Sequence, residues 1–321
     1  MPMDWNTPTL ADVYEARRRI SPHLRPTPLY SYPVLDRLLG ATVHVKHENH
    51  QPIGAFKVRG GINLVSQLAD DERDGVLTAS TGNHGQSIAF AARLFGVPAA
   101  VCVPEASNPV KVASMGALGA EVIFHGRDFD DAREHCEKLA VERGWRYVHS
   151  ANEPLLIAGV ATETLEILEE QPATEVIIVP LGGGSGASGA CIVAKAVNPA
   201  IEVIAVQSAQ APAAHRSWTA GHLVEAPTTT IAEGLATRTA FELPQQILRE
   251  HLDEFVLVSD DDLRDAQMIL IEATRNVVEA AGAASFAAAL QLRDRIAGRR
   301  VALILSGGNA SPQQLIDVLT H

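Results

Sequence analysis

From Gly75 onward the chain repeats one pattern: a short apolar run, a turn rich in glycine or proline, then a helix with one apolar face. Strand character falls at 75–79, 99–103, 120–124, 175–179, 202–207, 255–258 and 300–305. Helical spacing at 84–95, 109–117, 129–142, 155–169, 187–197, 260–275 and 283–296 separates most of these runs. Short strands that are apolar on both faces, joined by helices, build parallel sheets covered on both sides, so the expected fold class is α/β. Ahead of this region, Thr9 to Ile20 reads as a capped amphipathic helix and Thr42 to His47 as an alternating strand. Ser21 to Pro28, with three prolines, reads as an extended connector. Gln207 to Thr230 is the longest irregular stretch, with room for a short helix.

A chain of 321 residues, 46% hydrophobic, can fill the core of one large or two closely packed domains. Its net charge of −12 gains nothing from counterion release, which argues against a nucleic-acid partner. No apolar run reaches membrane-spanning length, and MPMDWNTPTL has no signal-peptide pattern, so a cytoplasmic protein is expected. Cys102, Cys136 and Cys191 are too widely spaced for a disulfide framework or a zinc motif. The twelve histidines show no metal-ligand spacing, and no metal site is expected.

Four stretches carry chemistry. In Lys46 to Gly61, KHENHQPIGAFKVRGG, Pro52 and Gly54 punctuate a loop. Val58, Ile62, Val65 and Leu68 then recur at helical spacing, which starts a helix near Lys57. Partial burial lowers the pKa of such an amine, and a neutral amine attacks carbonyls; a cofactor aldehyde held there would form a Schiff base. The alternative leaves Lys57 and Arg59 as solvated first-turn residues. In the second stretch, Ala79-Ser80-Thr81-Gly82-Asn83-His84-Gly85-Gln86, a loop opens a helix whose first N–H groups suit a carboxylate. An ordinary helix cap by Ser80 or Thr81 is the alternative. In the third, Gly182-Gly183-Gly184-Ser185-Gly186 joins a buried strand to a helix, a geometry that binds phosphate. It lacks the spacing and downstream acid of a dinucleotide site and the lysine of a nucleotide P-loop. A plain strand–helix turn is the alternative. In the fourth, Leu305-Ser306-Gly307-Gly308-Asn309 caps the last strand.

A lysine in GAFKVRGG, then STGNHGQ, a glycine loop and SGGN, in that order, closely resembles the fold-type II pyridoxal-phosphate enzymes. The similarity is to the serine/threonine dehydratase and serine racemase branch, and runs from about Leu10 to Asn309. Arg25-Pro26-Thr27-Pro28-Leu29 matches an entry segment of that family. The resemblance implies two three-layer α/β/α domains with mostly parallel sheets. A small domain, 75–152, would be inserted in a large one, 1–74 plus 153–321, and the chain would form a homodimer. No regulatory C-terminal domain is expected after SGGN. Lys57 would hold pyridoxal 5′-phosphate beside Phe56. Gly182, Gly183, Gly184, Ser185 and Gly186 would take the phosphate, with the Ser185 hydroxyl as an added contact. Asn83 would bond the phenolic oxygen, Ser306 would meet the pyridine nitrogen, and Glu279 would lie near the ring. The loop Ser80, Thr81, Gly82, Asn83 and His84 would take the substrate carboxylate. Core packing for Phe56 and a solvated helix-end position for Glu279 are the alternatives.

By resemblance the activity is that of a dehydratase, or ammonia-lyase, on a β-hydroxy-α-amino acid such as threonine or serine. Lys57 would remove the α-proton, and loss of the β-hydroxyl would lead to a 2-oxo acid and ammonia. A neutral Ser306 makes the ring a weaker electron sink, which suits elimination over long-lived carbanions. Amino-acid racemisation is the alternative, followed by β-replacement. In the racemase a serine acts on the face opposite the lysine; its place here is Thr81, which by resemblance would be the second catalytic residue. The place of an acid of the racemase's divalent-metal site is Gln207. With no carboxylate in SAQAPAAH either, no divalent site is expected. A non-catalytic amino-acid sensor is the reading from another class; an intact lysine argues against it. The substrate side chain stays open, from threonine to phenylserine or 3-hydroxyaspartate. Its pocket walls are expected from His47–Ile53, Gln207–Thr219 and Thr230–Thr237.

Overall fold

The computed structural model describes residues 6–127 and 129–320. The chain enters through α1 (Leu10–Ile20), β1 (Leu29–Ser31), α2 (Pro33–Leu39), β2 (Thr42–His47) and α3 (Val58–Val65). It continues as β3 (Val76–Ala79), α4 (Asn83–Phe95), β4 (Ala99–Val103), α5 (Pro109–Ala117), β5 (Glu121–Phe124), α6 (Phe129–Arg143) and β6 (Arg146–Tyr147). Next come α7 (Pro154–Val160), α8 (Thr162–Glu170), β7 (Val176–Pro180), α9 (Ser185–Val197), β8 (Glu202–Ser208), α10 (Ala213–Ala220), α11 (Glu242–His251) and β9 (Glu254–Val258). The last described elements are α12 (Asp260–Thr274), α13 (Ala280–Gln291), α14 (Arg293–Ile296), β10 (Arg300–Leu305) and α15 (Pro312–Leu319).

The strands form two sheets. The larger has the order β1-β2-β10-β7-β8-β9 and is parallel except for β1, which pairs antiparallel with β2. The smaller, β5-β4-β3-β6, is parallel throughout. Side chains along a strand alternate between faces, and both faces here are apolar. On β7, Ile177 and Val179 join Leu165 of α8, Val193 of α9 and Ile247 of α11. Val176 and Ile178 point the other way, onto Leu270 of α12 and Phe286 of α13. The small sheet sorts likewise: Val76, Val101 and Val103 pack with Ile62 of α3, Ile88 of α4 and Met115 of α5, while Leu77, Ala100 and Cys102 pack with Cys136 of α6.

The helix α3 joins the two halves. Its apolar residues Val58, Ile62 and Val65 belong to the core beneath the small sheet. The loop before it is tied to the large sheet, with Phe56 N–H donating to Ser306 O at 3.0 Å. Against α7 it packs backbone to backbone: a Cβ on Gly159 would lie 2.7 Å from Arg59 O and from Gly60 Cα. No larger residue fits at that crossing, so the height of α3 is fixed by the main chain itself.

A buried ionic cluster fixes the same region from below. Arg59, 1% exposed, forks onto Glu48 through Nε and Nη2, both at 2.8 Å, and onto Glu166 at 2.7 and 2.8 Å. Its remaining hydrogen bonds reach Thr162 Oγ1 at 3.1 Å and Thr27 Oγ1 at 3.4 Å. Lys46, fully buried on β2, donates to Glu166 at 2.6 Å and to Thr27 O at 2.8 Å. Two cations and two anions thus tie β2, the proline connector, α3 and α8 together. The reading of Arg59 as a solvated first-turn residue is overturned.

Most expected strands and helices appear within a few residues of their expected bounds. The helix expected at 155–169 is two, α7 and α8, meeting at Ala161, where a Cβ on Gly189 of α9 would lie 2.8 Å from Ala161 Cα. The helix expected at 283–296 starts three residues earlier, at Ala280, and gives way to α14 after Leu292. The short elements β1, α2, β6, α11 and α15 were not anticipated individually.

The cluster predicts a large penalty for removing its hub. Burial alone would raise the Glu48 carboxyl, but the charge and hydrogen bonds of Arg59 outweigh it and hold Glu48 below the ordinary range. That stability is present above the ordinary carboxylate pKa and is lost as pH falls through the lowered one. Arg59→Met leaves two buried carboxylates without their fork and is expected to cost about 3–5 kcal/mol in urea unfolding at neutral pH. Its loss on acidification should also be shallower than that of the parent chain.

Candidate active site

Three loops converge where the two sheets meet. Lys57 takes the N-cap position of α3 and is half-buried. Its Nζ donates to Ser185 Oγ at 2.7 Å and lies 5.1 Å from the centroid of the Phe56 ring. Its carbonyl accepts from Ser87 Oγ of α4 at 2.6 Å, which fixes the backbone that carries the amine. Burial lowers its pKa to about 8, against an opposing pull from the Glu163 carboxyl. A neutral minority of the amine is therefore present near neutrality, far more than for an ordinary lysine, and neutral amine is the form that attacks carbonyls.

The glycine loop supplies the second wall. Gly184 has φ +96°, a conformation that glycine adopts without strain, and turns the chain from β7 into α9. A Cβ on Gly182 would collide with the carbonyl oxygen of Gly234, and one on Gly183 would meet Ala151 and Phe241. One on Gly186 would lie 3.2 Å from the Phe56 ring, so Phe56 packs over the start of α9. The first N–H groups of α9 have no intrahelical partner and sit at the positive end of the helix dipole. Ser185 is buried and uses its hydroxyl to accept from Lys57, a contact the sequence did not suggest.

The third wall is the β3–α4 loop. Ser80 is buried and accepts from Gly82 N at 3.1 Å; Thr81 is half-buried. Asn83 begins α4, donating to Glu279 Oε1 at 2.7 Å and accepting from Asn309 Nδ2 at 2.8 Å. One N–H of the Asn83 amide is left for a further acceptor. His84 contributes main chain only, because its Nε2 is hydrogen-bonded to Thr78 Oγ1 at 2.8 Å, deep in the small sheet. Burial first, and then the charge of Lys57, lower its pKa to about 3 and keep the ring neutral.

Glu279 is buried at the N-cap of α13, so its reading as a solvated helix-end carboxylate is overturned. Burial raises its pKa, while the charge of Lys111 and the Asn83 hydrogen bond act against that rise. Ser306 follows β10 and is buried, with its carbonyl on Phe56 N–H. The structure thus gathers Phe56, Lys57, Ser80 to Asn83, Gly182 to Gly186, Glu279 and Ser306 around one junction, and turns the His84 ring away from it.

Other residues of the junction escaped the sequence reading. Asn309 ends the SGGN stretch and bridges Asn83 to Ile53 O, its second bond being 2.8 Å. A cavity of about 210 Å³ opens beside Glu279 and Asn309, walled in part by Lys111, Ile231, Glu233 and Gln314. Lys57 and the glycine loop do not line it. Of the three expected wall segments, 230–237 contributes to this cavity. Lys111 of α5 pairs with Glu233, which links the small sheet to the segment before α11. Gln207 is occupied structurally, accepting from His215 N at 3.1 Å. Glu163 lies beneath the glycine loop and, set between Thr162 and Thr164, has no signal in the sequence that marks it.

The donor set fits a small aldehyde that carries a phosphate. An amine of lowered pKa lies 2.7 Å from the serine that opens α9, so aldehyde and phosphate partners are adjacent. The crowding around Gly182 keeps side chains out of the cradle. The comparisons agree. A family described as pyridoxal-phosphate dependent enzyme matches residues 20–307. An L-threonine ammonia-lyase of Thermotoga maritima is 38% identical over 304 residues, 94% of this chain and 75% of that one. An L-threo-3-hydroxyaspartate ammonia-lyase of Saccharomyces cerevisiae is 36% identical over 315 residues, 98% of this chain and 97% of that one. The structure of maize serine racemase superposes with a TM-score of 0.92 at 32% identity, covering 97% of each chain. By its matched length, its fold and its lysine–glycine-loop junction, this chain belongs to the pyridoxal-phosphate-dependent enzyme family.

Proposed function

We propose that the protein is a pyridoxal-phosphate-dependent lyase that converts a β-hydroxy-α-amino acid, such as L-threonine or L-serine, to a 2-oxo acid and ammonia. The observation that carries this reading is the Lys57 amine at the mouth of the glycine loop, 2.7 Å from Ser185 Oγ. The ammonia-lyases of similar sequence support the reaction class. Pyridoxal phosphate, when bound, supplies the aldehyde and the electron-withdrawing ring that acidify the substrate Cα–H.

The protein supplies position and protons. Lys57 would hold the cofactor through its Nζ, and the same nitrogen, when free, would take the α-proton. Amide groups of Gly182 to Gly186 and the Ser185 hydroxyl hold the phosphate at the positive end of α9. Ser80, Thr81, Gly82, Asn83 and the His84 main chain hold the substrate carboxylate at the start of α4. Asn83, kept in place by Glu279 and Asn309, would offer its remaining N–H to the phenolic oxygen of the cofactor. Phe56 packs beside the cofactor. The Ser306 hydroxyl, which carries no negative charge, would be the partner of the pyridine nitrogen, and such a partner favours loss of a β-leaving group over a persistent carbanion.

The two sheets correspond, in this reading, to an inserted small domain at 75–152 and a large domain from the rest of the chain. A homodimer in the cytoplasm is proposed on the family resemblance. Among the described residues no helix is long and apolar enough to cross a membrane. Serine racemisation is the second reading, supported by the similarity to maize serine racemase.

Lys57→Ala is expected to abolish turnover while pyridoxal phosphate still binds through the glycine loop. Borohydride reduction of the parent protein should label one lysine; peptide mapping to Lys46 or Lys111 instead of Lys57 would sink the assignment. The partition between the two readings turns on Thr81, whose β-branching restricts its hydroxyl. From L-serine or L-threonine, 2-oxo acid is expected to exceed the D-amino acid greatly. Thr81→Ser should raise any D-isomer and Thr81→Ala should remove it while sparing much of the elimination. Chiral chromatography of reactions in deuterated water reads this, and rapid D-isomer formation by the parent enzyme would reverse the order.

A further inference from the structure

Glu163 has no role in the reaction as derived above, yet it is a buried acid next to the site. It lies on α8 and is 1% exposed, with no hydrogen-bond partner for Oε2. A Cβ on Gly186 would come within 3.7 Å of its Oε1 and 3.2 Å of the Phe56 ring. Its carboxyl therefore sits directly below the glycine loop.

The charged groups around it come from every element packed there. Lys46 of β2, Glu48 of the turn that follows, Arg59 of α3 and Glu166 of α8 all act on it. These four already satisfy one another. Arg59 spends its guanidinium N–H groups on Glu48, Glu166, Thr162 and Thr27. Lys46 donates to Glu166 and Thr27. Their charges cancel, two positive against two negative, and none of their hydrogen bonds reaches Glu163. The cation outside this cluster on which Glu163 acts is the half-buried Lys57, whose Nζ bonds Ser185 next to Gly186, the residue above Glu163. The charge of Lys57 also acts on His84 of α4, whose ring points into the small sheet and is neutral.

We propose that Glu163 is a positioning residue for Lys57: from the core side of the glycine loop, its carboxyl decides whether the lysine amine keeps its proton. Two arrangements have the same total charge: an ammonium above a carboxylate, or a neutral amine above a carboxylic acid. Burial drives Glu163 toward its protonated form and Lys57 toward its neutral form. An ionised Glu163 favours the ammonium. The amine can thus be nucleophilic near neutrality without being stripped of its proton-binding capacity, which a base that later takes a proton requires.

The inference rests on Lys57 being the reactive amine, but its test reads that amine directly and needs no substrate. The full chain is freed of cofactor and pulsed with acetic anhydride across a pH series, and the acetylation of Lys57 is followed by peptide mass spectrometry. In Glu163→Gln, the pH midpoint for acetylation should fall by about one unit, because the carboxylate that favours the ammonium is gone. Glu163→Asp, which keeps the charge, should stay near the parent midpoint. A glutamine variant that folds and keeps the parent midpoint overturns the proposal. If it does not fold, Glu163→Met carries the same test, and a chain that folds with neither overturns it by making Glu163 a purely structural residue. A midpoint that falls while borohydride labels another lysine upholds the electrostatic coupling and rejects the assignment of Lys57 as cofactor holder.

Discussion

Withdrawing a guanidinium from water costs several kcal/mol, and the cost is offset only where carboxylates meet it in good geometry. At Arg59 two such carboxylates arrive from different parts of the chain, Glu48 after β2 and Glu166 on α8. Because the offset depends on distances near 2.8 Å, the backbone of α3 cannot shift without losing it. Lys57 is two residues away on the same helical turn. The glycine crossing of α3 with α7 makes the opposite face equally unforgiving. The Lys57 amine is therefore placed by an ionic fork below and a main-chain contact beside it.

The junction works by dividing polar tasks among loops that belong to different sheets. The glycine loop ends β7 and the Asn83 loop ends β3, each opening a helix whose dipole favours an anion. Anions at both helix starts would repel one another in an open solvent channel. Here Lys57 lies at the start of α9 and Lys111 beside Gly82 at the start of α4, so each helix start has a cation of its own. Asn309 is the cross-member, holding Asn83 of one sheet's loop against Ile53 O of the lysine loop.

Much of this was legible in the residues. Runs such as Val176–Pro180 announced doubly covered strands because nothing polar interrupts them, and the structure buries all five of these residues. The glycine loop and STGNHGQ were readable because turn geometry and helix starts leave local marks. Signals for two unanticipated helices were present as well. α11 carries Leu243, Ile247 and Leu248 on a buried face, and α15 has Ser311 and Gln314 as a capping box around Pro312. Other features leave no local mark. The Arg59 fork joins residues 11 and 107 positions apart, and a glycine that meets another helix looks like any glycine. Glu163, set between Thr162 and Thr164, has no mark in the sequence until the loop above it is known.

The buried cluster also bears on how the molecule responds to heat. The hydration of charged groups becomes less favourable as temperature rises, so the penalty for keeping Arg59, Lys46, Glu48 and Glu166 dry shrinks on warming. The apolar layers over the two sheets gain no comparable advantage. Heating thus shifts the balance of cohesion from the flanks of the molecule toward the joint under Lys57. The seat of Lys57 is built from the kind of interaction that loses least ground as the surrounding fold approaches its melting range.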